Sequence, residues 1–249
     1  MKSGFTYLLL IVLLLFPAVT LRAQGIDVSQ FQGTINWKKV SKSSKAKFVY
    51  IRATEGASRR DKKYAANVKG ARAAGIKVGS YHVYSSKTTA YQQFANFKSV
   101  VVKKHQDLIP VLDIEGHHSG KLNMERVEKL LELMQKEYGV RPMIYTSETV
   151  YKLHFAGKEY AKYHIFIAKY EGNPSVRYTL WQYSEEGSVS GISGNVDLSK
   201  FGSKHSLKDI QLPKPKKKKA VAKTPSAKAD AKPAAKPASK PVAKSSTSR

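Results

Sequence analysis

The sequence predicts an α/β fold whose strands close into a barrel. Strand and helix patterns alternate along the chain, which favours a mostly parallel sheet. Eight short apolar strand patterns occur within about 180 residues, and a sheet of eight such strands favours closure into a barrel. With 249 residues, of which 41% are hydrophobic, the chain can bury a large core.

The first half of the predicted domain contains four strands separated by helices. Strand patterns occupy residues 26–29, 47–52, 76–84 and 108–115, and helical patterns occupy residues 37–42, 62–74 and 88–102. The next helix is capped by Asn123, has apolar residues along one face and ends at Gly139. Strands at residues 142–146, 164–168, 178–183 and 196–198 follow. Because the helical pattern weakens after Tyr151, we expect loops or hairpins between the last strands.

The N-terminal segment has the pattern of a signal peptide over residues 1–24. Lys2 precedes an unbroken apolar run, and smaller residues follow it. We therefore expect export from a bacterial cell, to the periplasm, the cell surface or the medium. An uncleaved membrane anchor is the alternative.

The globular domain is expected to span residues 25–212, and residues 213–249 form a Lys/Ala/Pro-rich tail that we expect to be disordered. This tail has eleven Lys and one Arg against a single acid, Asp230, in a chain of net charge +26. The charge predicts binding to anionic envelope polymers or lipids, and a spacer function is the alternative. We expect a monomer.

Two acids end the strand pattern at residues 108–115. Asp113 and Glu115 are two residues apart, so in an extended strand both side chains point to the same side. Two buried acids on one face favour a state in which one keeps its proton, and the site then holds a carboxylic acid and a carboxylate at one pH. The alternative is a strand end whose acids cap a helix or pair with Arg and Lys.

Two further acids lie on the first and last predicted strands. Asp27 and Asp197 would be neighbours in a closed barrel, facing each other and the Asp113/Glu115 pair. Converging carboxyl groups predict a glycosidase site, in which one protonates the leaving oxygen and another stabilises the cationic sugar. Aromatic side chains near this site are expected to stack on sugars or to pack in the core: Tyr50, Tyr81, Tyr84, Tyr145, Trp181 and Tyr183. Gln182 is a further candidate for substrate binding.

Other chemistries have little support in the sequence. The chain has no cysteine, which excludes disulfides and thiolate metal ligands. Its seven His show no metal-binding spacing, and no phosphate loop or dinucleotide fingerprint is present. We therefore expect neither a metal nor a cofactor.

Seven motifs, in this order along the chain, resemble those of the glycoside hydrolase family 25 muramidases, the Chalaropsis-type lysozymes. They are GIDVSQFQG (25–33), RATEG (52–56), GSYHVY (79–84), LDIE (112–115), IYTS (144–147), WQY (181–183) and GNVDL (194–198). The resemblance implies an irregular TIM-like barrel of five strand-helix units followed by three strands. It also implies hydrolysis of the β-1,4 bond between N-acetylmuramic acid and N-acetylglucosamine in peptidoglycan.

The resemblance also implies roles for the acids. By position, Glu115 matches the general acid, Asp113 the partner carboxylate at the reacting sugar, and Asp27 and Asp197 the remaining acids of the site. Direct attack by Asp113 and assistance by the substrate's own acetamido group both stay open.

Two segments depart from the family pattern, and two other functions compete with the muramidase. Residues 58–63 (SRRDKK) are basic where members often carry acidic or neutral residues, and His117 and His118 follow the acid pair where another acid is common.

The competing functions are a catalytically silent peptidoglycan-binding module anchored by the tail and a basic nucleic-acid-binding protein.

Overall fold

The computed structural model describes residues 24–43, 45–115 and 122–213. Nearly all of the predicted signal peptide and of the basic tail therefore lies outside the described residues, as do His117 and His118. The first strand of the described residues begins at Gln24.

In the described part of the chain, nine strands form one sheet. They are β1 (Gln24–Val28), β2 (Phe48–Glu55), β3 (Arg59–Arg60), β4 (Lys77–Val83), β5 (Val111–Asp113), β6 (Met143–Ser147), β7 (Ile165–Ala168), β8 (Leu180–Gly187) and β9 (Val196–Phe201). Their order is β1-β9-β8-β7-β6-β5-β4-β2-β3, and β1 also pairs with β2. That pairing closes eight strands into a barrel, while the short β3 forms a hairpin with β2. The predicted closed α/β barrel is confirmed.

Helices follow the first five barrel strands. They are α1 (Trp37–Val40), α2 (Tyr64–Ala73), α3 (Ala90–Val100), α4 (Met124–Tyr138) and α5 (Glu148–His154). The side chain of Asn123 caps α4 by accepting a hydrogen bond from the Arg126 amide, and Gly139 ends it with a φ of 74°. The predicted order of five strand-helix units and three final strands is therefore confirmed. No helix within the described ranges is long and apolar enough to cross a bilayer.

The direction of β9 decides which residues meet at the barrel mouth. Neighbouring barrel strands from β1 through β8 are parallel, whereas β9 is antiparallel to both β8 and β1. The start of β9 consequently lies at the same end of the barrel as the carboxyl ends of the other strands. In this register Asp197 is directly opposite Asp27.

Alternation along the strands separates two cores. Phe48 and Tyr50 of β2 belong to the cluster inside the barrel, together with Phe166 of β7. The intervening Val49 and Ile51 belong to the larger cluster that contains the apolar face of α4 and so lies between the strands and the helices. Each barrel strand therefore contributes one face to the interior, where the bulky residues of the first cluster fill the barrel below its mouth.

The strand predicted at residues 108–115 is shorter in the structure. Leu108 forms an isolated bridge with Gln211, and β5 begins only after Pro110, which has no N–H for a strand ladder. Glu115 lies two residues beyond the end of β5. The prediction that both acids belong to one regular strand is wrong, because β5 ends at Asp113.

Candidate active site

Four carboxyl groups line one cavity at the mouth of the barrel. Asp27 comes from β1, Asp113 from the last position of β5, Glu115 from the segment after it, and Asp197 from the start of β9. The cavity has a volume of about 90 Å³. The structure therefore brings together the four acids singled out in the sequence.

Asp27 and Asp197 form a hydrogen-bonded acid pair. Burial and the neighbouring Asp197 raise the pKa of Asp27 well above its usual value. Burial also raises the pKa of Asp197, and the hydrogen bond from Asp27 opposes that rise. Because the two carboxyl groups interact directly, they titrate as a pair, and the raised pKa of each favours a state in which they share one proton.

Asp113 is the deeper member of the second pair. It is 8% exposed, and within the described residues its Oδ1 atom is buried without a hydrogen-bond partner. Burial, and next the neighbouring Glu115, raise the pKa of Asp113 well above its usual value, while the Arg52 guanidinium opposes the rise. A buried, unsatisfied carboxyl oxygen is costly for stability and is a frequent feature of functional sites.

Gln182 holds Asp27 in place. Its Nε2 atom donates to both carboxyl oxygens of Asp27, at 3.1 and 3.0 Å. Its Oε1 atom accepts from the hydroxyl groups of Tyr145 and Tyr170, each at 2.8 Å. Two hydroxyl donors on Oε1 fix the amide orientation, so Nε2 must face Asp27. Gln182, predicted to bind substrate, is only 1% exposed and contacts the acid directly.

Tyr170 was not predicted from the sequence. It lies in the segment between β7 and β8, is 44% exposed and reaches the buried amide of Gln182 through its hydroxyl group. An isolated tyrosine in a loop carries no pattern that indicates such a contact. Only the spatial proximity of the loop to β8 reveals it.

The predicted aromatic residues occupy three different positions. Tyr81 and Tyr145 line the cavity with their rings, and Tyr81 is partly exposed there. Tyr50 forms part of the floor but is 1% exposed, and its hydroxyl group donates to the carbonyl oxygen of Ile109. Tyr84 is buried and donates to a backbone carbonyl next to α4.

Trp181 lies on the face of β8 opposite to Gln182, outside the barrel. Its indole N–H donates to the carbonyl oxygen of Lys169 at 2.7 Å, and the Lys200 ammonium lies 4.2 Å from a ring centroid. Tyr183, on the same face, packs edge-on against it. Strand alternation turns the side chain of Trp181 away from the acid-lined cavity, and its contact with substrate stays a prediction. Trp181 supports the segment that carries Tyr170.

The cavity opens into a cleft whose wall the sequence did not predict. Arg52, Glu55 and Phe31 line this cleft together with Tyr81 and Glu115. The Arg52 guanidinium carbon lies 4.7 Å from the centroid of the Phe31 ring, which is 76% exposed. Both residues occur in the quoted motifs, but only the fold places them at one edge of the acid site.

The described residues contain no group of three or more His, Cys, Asp or Glu arranged to hold a metal ion. The four acids instead form two pairs, each with a group whose pKa is raised by burial. Closely spaced carboxyl groups with raised pKa values are suited to holding and moving protons. The expected absence of a metal or cofactor stays a prediction.

An acid-lined cavity at the mouth of a closed α/β barrel, with aromatic walls, defines a glycoside hydrolase. Comparisons with known proteins identify the family. A sequence model of the glycosyl hydrolases family 25 matches residues 26–192. The chain belongs to this family.

Three relatives illustrate the similarity. Lysozyme M1 of Streptomyces globisporus is 35% identical over 208 residues, which cover 74% of this chain and 69% of that protein. Uncharacterized protein YegX of Escherichia coli (strain K12) is 33% identical over 187 residues, which cover 71% of this chain and 68% of that protein. The crystal structure of the bacterial lysozyme from Streptomyces coelicolor has a TM-score of 0.68 and 32% identity, covering 76% of this chain and 95% of that one.

Proposed function

We propose that the protein is an exported muramidase that hydrolyses the β-1,4 bond between N-acetylmuramic acid and N-acetylglucosamine in peptidoglycan. Family membership and the similarity to the Streptomyces lysozymes support this substrate. The observation that carries the proposal is the convergence of Asp113 and Glu115 on one cavity, with Asp113 buried and Glu115 partly exposed. All four acids face this cavity, which favours an enzyme over a catalytically silent binding module.

Glu115 is assigned as the general acid. The reaction needs one group that delivers a proton to the leaving oxygen and one that keeps a negative charge near the cationic sugar. Asp113 and Glu115 both border the cavity and the cleft, but Glu115 is partly exposed, whereas Asp113 is buried. A glycan strand lying along the cleft would therefore meet Glu115 at its scissile bond.

Asp113 is assigned as the partner carboxylate. The Arg52 guanidinium favours its charged form, against burial and the nearby Glu115. When Glu115 carries the proton of the pair, Asp113 holds the negative charge beside the reacting carbon. It then either attacks that carbon or orients the acetamido group of the substrate.

Asp27 and Asp197 are assigned to the opposite wall of the site. A proton shared by the two acids would limit this wall to one negative charge, and Gln182 orients Asp27 through two hydrogen bonds. Tyr81 and Tyr145 offer ring surfaces for a sugar inside the cavity. Tyr50 and Trp181 are assigned supporting positions.

Replacement of Glu115 by Gln tests this proposal. The variant keeps the shape of the side chain but cannot donate a proton, so hydrolysis should fall by about 10²- to 10⁴-fold. The assay measures reducing ends released from purified peptidoglycan, with products identified by mass. Equal activity of both proteins, no activity of the unmodified protein, or products with N-acetylglucosamine at their reducing end would refute the proposal.

Export and tail binding are part of the same proposal. The apolar leader would direct the chain across the inner membrane, and the basic tail would then hold the enzyme on anionic envelope polymers or lipids. A monomer is sufficient for this function, since the four acids come from one chain. Light scattering of the purified protein would test the monomeric state.

A further inference from the structure

A second pocket adjoins the catalytic cleft and is mainly basic. It shares Phe31, Arg52 and Glu55 with the cleft. Its volume is about 310 Å³, within the range of small-ligand sites. Four cations and two carboxylates line it: Arg52, Arg59, Arg60, Lys62, Glu55 and Asp61.

The Asp61 carboxylate is already committed to the fold. Its Oδ2 atom accepts from the Gln30 amide at 2.7 Å and from Arg52 Nε at 3.3 Å, and its Oδ1 atom accepts from the Lys63 amide at 2.9 Å. Its side chain has no exposed surface. Asp61 therefore orients Arg52 toward the cleft and adds no accessible negative charge to the pocket.

The remaining acid neutralises only one of the other cations. Glu55 pairs with Arg59 at 2.6 Å. Arg60 and Lys62 are exposed, and within the described residues neither forms a salt bridge. The neutral side chain of Asn96 is the partner of Arg60, at 3.4 Å. The pocket thus keeps an excess of positive charge beside the acid-lined cleft.

The hairpin that carries these cations is held in place. Arg59 and Arg60 form β3, which pairs with the end of β2. Asn96 of α3 donates to the carbonyl oxygens of Gly56 and Arg59, at 2.9 and 3.1 Å. The backbone is fixed at both ends of the turn. The hairpin therefore holds the cationic side chains of Arg59 and Arg60 at a fixed place beside the pocket. This is the basic segment, residues 58–63, that departs from the family pattern.

We propose that this pocket binds carboxylates of the peptide stem on the muramic acid of the bound strand, so that the enzyme prefers peptide-bearing over bare glycan. The inference rests on the proposed function. Each muramic acid carries its peptide through a lactyl ether, and a peptide advances at most about 3.3–3.6 Å per residue. A stem that leaves the cleft past Arg52 would thus place its first carboxylates within the adjoining pocket. Guanidinium groups bind carboxylates through paired, charge-assisted hydrogen bonds.

The experiment compares three soluble, uncrosslinked glycan substrates with identical sugar backbones. One carries peptide stems, one has had the stems removed by an amidase, and one carries stems whose carboxylates are converted to amides. We expect the unmodified protein to cleave the stem-bearing strands with the highest kcat/KM. Arg60→Gln combined with Lys62→Gln should lower the ratio of stem-bearing to bare kcat/KM by roughly three- to tenfold.

Two further variants make the comparison specific. Arg60→Lys combined with Lys62→Arg keeps both charges and should keep most of the preference. Lys204→Gln combined with Lys208→Gln removes the same amount of charge from exposed positions after β9, at the barrel end opposite to the cleft. This variant should keep the full preference for stem-bearing strands.

An equal preference in the Arg60/Lys62 glutamine variant and the unmodified protein would overturn the inference. So would an equal loss in the Lys204/Lys208 variant, which would indicate a general charge effect, or equal cleavage of acid and amide stems. If the unmodified protein cleaves none of the three substrates, the proposed function itself fails, and the two failures are thereby distinguished.

Discussion

Replacing Asp113 by Asn should abolish hydrolysis and stabilise the fold at neutral pH. Asp113 is buried, its Oδ1 atom has no hydrogen-bond partner among the described residues, and its neighbours Glu115 and Glu55 are acids. Burial, and next Glu115, raise its pKa in the folded protein, against the opposing charge of Arg52. Asn has nearly the same shape as Asp and no charge. The variant should therefore avoid the free-energy cost of burying a charged carboxylate.

The magnitude follows from proton linkage. A carboxyl group whose pKa is raised by folding contributes its full stability below its unfolded pKa of about 3.9, and this contribution is lost as the pH rises through its folded pKa. Between those two pKa values, the loss is about 1.4 kcal/mol per pH unit. The Asn variant does not suffer this loss. Above pH 4, the difference in the free energy of unfolding between the Asn variant and the unmodified protein should therefore grow by up to about 1.4 kcal/mol per pH unit.

Urea unfolding at several pH values between 4 and 8 would measure this difference. Asp209→Asn is a matched control of opposite sign, because hydrogen bonds from the Ser206 backbone lower the pKa of Asp209. The stabilisation by ionised Asp209 is present above its unfolded pKa and is lost as the pH falls. The Asp209→Asn variant lacks this stabilisation, so at high pH it should not be more stable than the unmodified protein. A stability difference for the Asp113 variant that stays constant or shrinks from pH 4 to 8 would refute the reasoning.

Three other predictions concern the support of the site and the tail. Gln182→Leu removes two hydrogen bonds to Asp27 and the acceptor of two tyrosine hydroxyl groups, so urea unfolding should show a loss of about 2–4 kcal/mol; a loss below about 1 kcal/mol would contradict the network. Tyr170→Phe removes one of those hydroxyl groups at an exposed position and should cost less than about 1 kcal/mol, with peptidoglycan hydrolysis reduced less than by the Gln182 variant. Deletion from Pro213 onward should lower retention on anionic cell envelopes at low salt while leaving hydrolysis of soluble glycan fragments unchanged; equal retention of both forms would argue against a binding tail.

Short-range patterns determined most of the fold. The order of helices and strands, the cap at Asn123 and the stop at Gly139 follow from residues close together in sequence, and all are present in the structure. The closed barrel could also be predicted from the sequence, because eight strands that alternate with helices have few other possible arrangements. The hairpin strand β3 was missed, because two arginines after a turn have no apolar pattern.

For the site, the sequence by itself determined which acids were candidates, while the tertiary structure decided how they are arranged. Asp27 meets Asp197 because β9 runs antiparallel to its neighbours, which sequence order alone does not specify. Alternation places Trp181 and Gln182 on opposite faces of β8, but only closure of the barrel decides that Gln182 points inward. These contacts join residues far apart in the chain, whose pairing depends on the register of the whole sheet.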